Sequence, residues 1–206
     1  TKEKFHADLR ESYRREREQE KERYHNEIIG YHGSEEGLET LLGYQLFSIG
    51  NRADSAALVY QVDYVLDGYV KKAGTNFVLS VGRLIGSQPE LKGEQRLRKE
   101  DIYWEMPRCY QWDITVNLPE GYRISPEGLE RLNVKVENDC GAFIVQATTE
   151  DGTLRIKAEK RINHKTEPVA NWEKLLEITD AANSYEALSI VFQATINPPT
   201  SPTTGY

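Results

Sequence analysis

The stretch that most constrains this chain is Arg96–Ile124, RLRKEDIYWEMPRCYQWDITVNLPEGYRI. Tyr110, Trp112, Ile114, Val116 and Leu118 fall on one parity, and Gln111, Asp113, Thr115 and Asn117 on the other. A strand turns successive side chains to opposite faces, so the pattern predicts a strand with one buried and one wet face. Tyr110 and Trp112 are therefore expected in the core, with Cys109 on the opposite face. Pro119-Glu120-Gly121 ends the strand, because Pro presets the turn and cannot donate to a ladder. Nothing in the stretch has an evident reason to be reactive, so it speaks for architecture rather than for an active site.

Period-two runs recur along the chain. Leu58, Tyr60, Val62, Tyr64 and Leu66 form one, and Phe77, Leu79 and Val81 another. Leu132, Val134 and Val136 follow, then Phe143, Val145 and Ala147, then Leu154, Ile156, Ala158 and Ile162, and last Leu188, Ile190, Phe192 and Ala194. Asp151-Gly152 separates two of these runs by two residues, a strong hairpin signal. With the Asn138–Gly141 turn, residues 132–162 are expected to form a three-stranded meander. Trp172, Leu175, Leu176, Thr179 and Ala182 have helical spacing after Pro168, with Asn171 as N-cap. Many short strands with frequent turns predict a mainly β fold, an antiparallel β-sandwich with one helix near the C-terminus.

Residues 2–28 differ in kind, with eight acids, eight bases and neither Pro nor Gly. Glu11 with Arg15 and Arg14 with Glu18 sit four apart, and Phe5, Leu9 and Tyr13 make an apolar stripe. A solvated helix is expected, either lightly docked or serving a partner. Ser34 caps a short helix, Glu35–Leu42, closed by Gly43. The expected organisation is a helical segment 1–43, a β-sandwich domain 44–196 and a disordered proline-rich tail 197–206.

Composition narrows the function classes. At 206 residues the chain suits one large or two small domains. Its net charge of −7, with no continuous basic stripe, argues against nucleic acid and anionic membrane as partners. No run of 18 apolar residues is present, so no membrane span is expected. Two cysteines, Cys109 and Cys140, are too few for a disulfide scaffold, and one bridge stays open. The chain opens on Thr1 rather than Met and reads as a mature or partial chain.

The chemistry on offer is sparse. Cys140, His164 and Asp180 occur in the order of a thiol acyl-transferase triad, in which the imidazole makes the thiolate and the carboxylate holds the imidazole. Cys140 lies in an NDCG turn rather than at a helix N-terminus, so a turn cysteine and a solvated histidine compete with that reading. The four histidines lack ligand spacing, and no glycine-rich phosphate loop precedes a helix. No catalytic residue, metal ligand or cofactor is assigned. Trp104 and Tyr103 are the binding candidates for a glycan or peptide. Arg96 and Arg98 are candidates for an acidic partner.

Four segments in order carry a resemblance: LDGYVKKAGTNFVLSVGRLIG, the Arg96–Ile124 stretch, the CGAF turn with EDGTLRIKAEKRI, and EPVANWEKLLEITDAANSYEALSIVF. From Asp54 to Gln193 the chain resembles the C-terminal β-domain of transglutaminase-like proteins of Gram-negative bacteria. Those proteins place an N-terminal β-domain of unknown function and a Cys-His-Asp transglutaminase-type domain before it. The resemblance implies a β-sandwich in a periplasmic or otherwise extracytoplasmic protein. It carries over no catalytic residue, because the family's triad lies upstream. The expected function is a non-catalytic accessory domain packed against the catalytic domain of its parent, not an enzyme and without a cofactor. A glycan- or peptide-binding module is the second expectation, and a Cys-His-Asp acyl-transfer enzyme the third.

Overall fold

The computed structural model describes residues 38–51 and 56–195. The chain divides into two compact units between Gly68 and Tyr69. The charge-dense stretch 2–28 and the tail 197–206 lie outside the described residues.

In the first unit, β1 (Leu38–Asn51) and β2 (Ala56–Leu66) form an antiparallel hairpin. Residues 38–42 are therefore strand, not the short helix expected from Ser34 and Gly43. Pairing explains the difference. Register shifts between Leu38 and Thr40 and between Leu41 and Gly43 bring Leu38, Leu41 and Tyr44 opposite Leu66, Tyr64 and Val62. These irregularities keep residues three apart on β1 in step with residues two apart on β2. Gly43 thus serves the hairpin instead of stopping a helix. Tyr44 and Tyr60 pack at 5.9 Å between ring centroids.

In the second unit, β3 (Val70–Ala73), β4 (Asn76–Leu79), β7 (Tyr122–Ile124) and β12 (Ile190–Ala194) form a sheet in the order β3-β4-β12-β7. A second sheet, β6-β10-β9-β8, contains β6 (Arg108–Asn117), β8 (Val134–Asn138), β9 (Gly141–Glu150) and β10 (Thr153–Ile162). A two-residue ladder joins β5 (Ile102–Tyr103) to β11 (Thr166–Glu167). All pairings are antiparallel. Helix α1 spans Pro126–Glu130 and the longer α2 spans Trp172–Glu186. The fold is mainly β, with one long helix near the C-terminus.

The expected meander is β8-β9-β10. Asp151 and Gly152 link β9 to β10 with φ of 48° and 73°, the left-handed pair that a tight hairpin turn demands. Phe143, Val145, Leu154 and Ile156 on its inner face are almost wholly buried, as are Ile178, Ala182 and Tyr185 of α2. Leu79, Ile190 and Phe192 of the other sheet join the same core. Trp112, Ile114, Val116 and Leu118 are half-buried against it, as their parity predicts. Tyr110 departs from that expectation and is 36% exposed. It sits opposite Lys160 on β6, the last strand of its sheet, and stacks on Trp112 at 6.0 Å. Lys160 shares the inner parity of Leu154 and Ile156. Burial pushes its amine down from the usual lysine value, and Nζ donates to Gln88 Oε1 at 2.9 Å.

The run Phe77, Leu79, Val81 does not continue as strand. It ends at Leu79, and Val81–Ile85 turns as a 3₁₀ helix against the C-terminal end of α2. Gly82 N–H donates to the Leu188 carbonyl at 3.0 Å, and a Cβ on Gly82 would lie 1.9 Å from the Tyr185 carbonyl oxygen. Tyr185 itself packs edge-on to Phe143 at 5.8 Å. Its hydroxyl is buried with no hydrogen-bond partner among the described residues, and burial pushes its pKa up to about 12.

Two substitutions test this packing by urea unfolding. Gly82→Ala is expected to cost at least about 2 kcal/mol, because backbone must move to admit a methyl group. Tyr185→Phe removes an unsatisfied hydroxyl, so its midpoint should stay level with the parent chain or rise, by up to about 1 kcal/mol.

Candidate functional site

The segment Arg96–Trp104 runs along the first turns of α2 and is fixed to it at several points. Trp172 Nε1 donates to the Arg96 carbonyl at 2.7 Å, and Val169 N–H donates to Asp101 Oδ1 at 2.9 Å. Arg96 Nη1 and Nη2 reach Asp180 Oδ1 and Oδ2 at 2.8 and 2.7 Å, a two-pronged pair. The hydrogen bond to Asp180 raises the Arg96 pKa, and the same contact lowers that of Asp180. Arg98 lies over the Trp172 ring at 5.2 Å. The β5–β11 ladder pairs Ile102 with Glu167 and Tyr103 with Thr166.

Beneath this segment lies a small apolar cluster of Ile102, Cys140 and Leu175, with Trp104, Ile162 and Trp172 at its margin. One charged side chain enters it. Glu167 is 2% exposed, the one buried charged residue among the described residues. His164 Nδ1 meets its Oε1 at 2.5 Å, and Asn171 Nδ2 donates to Oε2 at 2.8 Å. Asn171, expected to cap α2 with its side chain, spends its amide on Glu167 instead and makes no cap bond. Burial alone would push the Glu167 carboxyl up. The hydrogen bonds from Asn171 and His164, the His164 charge and the Cys140 thiol outweigh it and hold the carboxyl below the usual glutamate value.

Cys140 is 0% exposed in the turn between β8 and β9. Its N–H donates to Asn138 Oδ1 at 3.0 Å, and its carbonyl accepts from Asn163 N–H at 2.9 Å. Burial, followed by the charge of Glu167 and a hydrogen bond to it, pushes the thiol pKa up. Cys109 is exposed on β6, and both thiols are free, so the bridge left open by the sequence is not formed.

The residues of the triad order thus have separate allegiances. Cys140 and His164 converge on Glu167, while Asp180 belongs to Arg96. A cysteine nucleophile needs an imidazole that takes its proton. Here a buried carboxylate lies between thiol and imidazole and favours the protonated thiol. The His164 side chain is 57% exposed. Among the described residues no group of three or more His, Cys, Asp and Glu is placed to hold a metal ion. No described helix is long and apolar enough to cross a membrane.

The binding candidates separate as well. Tyr103 is 63% exposed, with Lys165 Nζ 5.2 Å from its ring centre. Trp104 is half-buried in the margin of the apolar cluster, so it is less open than a free binding platform. Leu97 and Met106, which the sequence did not single out, are 76% and 59% exposed on the same stretch. Glu167 was missed too. No periodicity marks it, and the one available signal is an acid beside Pro168 at the approach to a helix.

A family model described as a domain of unknown function with a solved structure, DUF3858, matches residues 82–192, more than half of the chain. The chain belongs to the DUF3858 family. The DUF3858 match opens at Gly82, where the 3₁₀ turn abuts α2, and closes at Phe192 in β12. It takes in the whole Arg96–Trp104 segment, Cys140 and Glu167, and leaves the β1–β2 hairpin outside. No curated protein and no solved structure matches the chain.

Two measurements test the DUF3858 site. Iodoacetamide should add once to the native chain, at Cys109, and a second time only after unfolding; equal rates at both thiols would refute a protected Cys140. The depressed Glu167 pKa contributes stability that is present above the ordinary glutamate value of 4.5 and lost as pH falls through the lower folded value. Glu167→Gln should therefore flatten the acid limb of a stability–pH curve below about pH 4.5.

Proposed function

We propose that this chain is a non-catalytic accessory domain that docks on a neighbouring domain. The setting is the one its resemblance implies: the C-terminal β-sandwich domain of a transglutaminase- or protease-like protein of the Gram-negative cell envelope, on the periplasmic side. The exposure of large apolar side chains carries the reading. Leu97, Tyr103 and Met106 are all more than half exposed within ten residues, on backbone tied to α2 and β11. Exposed apolar groups held on a fixed scaffold are a feature of docking surfaces. Leu42, Phe47 and Val59 of the β1–β2 hairpin add a second set, from 46% to 66% exposed.

The protonated, buried Cys140 supports the non-catalytic part. Acyl transfer by Cys140, His164 and Asp180 stands as an alternative with no contact in its favour. A glycan- or peptide-binding module is a second reading, supported by a polar groove on the outer face of the β6-β10-β9-β8 sheet.

Hydrogen exchange tests the docking reading, comparing this chain alone with the full protein encoded by its gene. Amides 97–106 should be slowed in the longer protein. Identical exchange in both would sink the docking proposal. In parallel, Cys140-dependent incorporation of a dansylated amine into casein by the isolated chain would make it an acyl-transfer enzyme.

A further inference from the structure

The outer face of the β6-β10-β9-β8 sheet is laid out in rows by its register. Glu137, Ala142, Arg161 and Cys109 form one row across the four strands. Lys135, Ile144, Glu159 and Gln111 form the next. Gln146, Lys157 and Asp113 form a third, across β9, β10 and β6. A groove of about 590 Å³ lies over these rows, lined by Gln111, Asp113, Gln146, Lys157, Glu159 and Arg161, with Ile144 as its large outward-facing apolar member. The volume falls within the range of small-molecule sites.

Its polar groups are already connected. Gln111 Nε2 donates to Glu159 Oε2 at 3.0 Å, and Arg161 Nη1 to Glu159 Oε1 at 2.7 Å. Arg161 Nη2 reaches Glu137 Oε1 at 2.5 Å, across the small Ala142. Lys157 faces Asp113 at 4.0 Å. The linked contacts among Gln111, Glu159, Arg161 and Glu137 hold those side chains before any ligand arrives, which lowers the entropy cost of binding. They also fix what kind of ligand fits. Asp113 and Glu159 offset Lys157 and Arg161, so the lining carries no net charge. An ionic ligand of either sign would compete with these pairs, and the balanced lining offers it no net attraction. A neutral ligand with many hydroxyls breaks none. Carboxylate, amide and guanidinium edges offer paired donors or acceptors in one plane, which suits adjacent hydroxyl groups. Gln146, whose side chain makes no hydrogen bond among the described residues, extends that set, and Ile144 offers apolar surface to the C–H face of a sugar ring.

We infer that this groove is a binding site for a short neutral oligosaccharide. The inference rests on the second reading above and uses a different face from the docking segment.

The test is an amide-detected NMR titration of the chain with maltotriose, cellotriose and tri-N-acetylchitotriose, each to about 10 mM, and with trigalacturonate as the charged comparison. At least one neutral trisaccharide should shift the amides of Gln111, Asp113, Ile144, Gln146 and Glu159, with trigalacturonate weaker. Gln146→Ala, an exposed substitution whose fold the same spectra verify, should weaken binding about tenfold. No shift with any neutral sugar overturns the site. So do shifts confined to Tyr103 and Trp104, an equal or stronger response to trigalacturonate, or undiminished binding by Gln146→Ala. None of these outcomes touches the docking reading, which is read from amides 97–106 by hydrogen exchange.

Discussion

Burial of the inner face of β9 and β10 beneath α2 sets the rest of residues 69–195. Phe143 and Tyr185 meet edge-on at its centre, and Val145, Leu154, Ile156 and Ile178 surround them at 0–1% exposure. Each fully buried side chain of this kind contributes roughly 1.5–3 kcal/mol relative to exposure. Once α2 is fixed there, its two ends organise different things. The C-terminal end receives the Gly82 turn at a distance that excludes a side chain. The N-terminal end anchors Arg96–Trp104, which after the 3₁₀ turn ending at Arg96 has no regular structure of its own beyond the two residues of β5.

That anchoring explains how a charged group tolerates an apolar setting. An isolated buried carboxylate costs several kcal/mol, and a hydrogen-bonded one much less. Glu167 collects donors from three places in the chain: the thiol of the β8–β9 turn, the imidazole of the β10–β11 connection and the amide at the start of α2. It therefore couples the positions of three backbone segments. Thiol and imidazole are used as structural donors, and the chemistry that their sequence order suggested is not assembled.

Much of the architecture was legible because its signals are local. The Asp151-Gly152 turn, the alternation through Leu154–Ile162 and the helical spacing from Trp172 depend on neighbours in sequence, and each appears where it was expected. The misses have two sources. Pairing partners far along the chain overrode local helix signals at residues 38–42 and ended the strand at Leu79 rather than Val81. Position within a sheet decided Tyr110, whose parity is right but whose strand stands at the margin. Helix α1 was readable and overlooked. Ser125 accepts from the Gly128 N–H at 3.0 Å, and Pro126 occupies the first helical position, an ordinary capped start. Glu167 was not readable, since its meaning lies in groups 27 residues upstream and four downstream that only the fold brings together.

The four residues Cys140–Phe143 each answer to a different chemical group. Cys140 gives its thiol to Glu167. Gly141 approaches the Arg161 carbonyl so closely that a Cβ would lie 2.1 Å from it. Ala142 is small enough to let Arg161 reach Glu137, and Phe143 meets Tyr185. A slip of β9 by one residue would place a phenyl ring under the guanidinium and a methyl group against the Arg161 carbonyl, besides turning the core face outward. The tetrapeptide therefore acts as a register key. It permits one alignment of β8, β9 and β10, and substitutions within it are constrained jointly, as a block, rather than position by position.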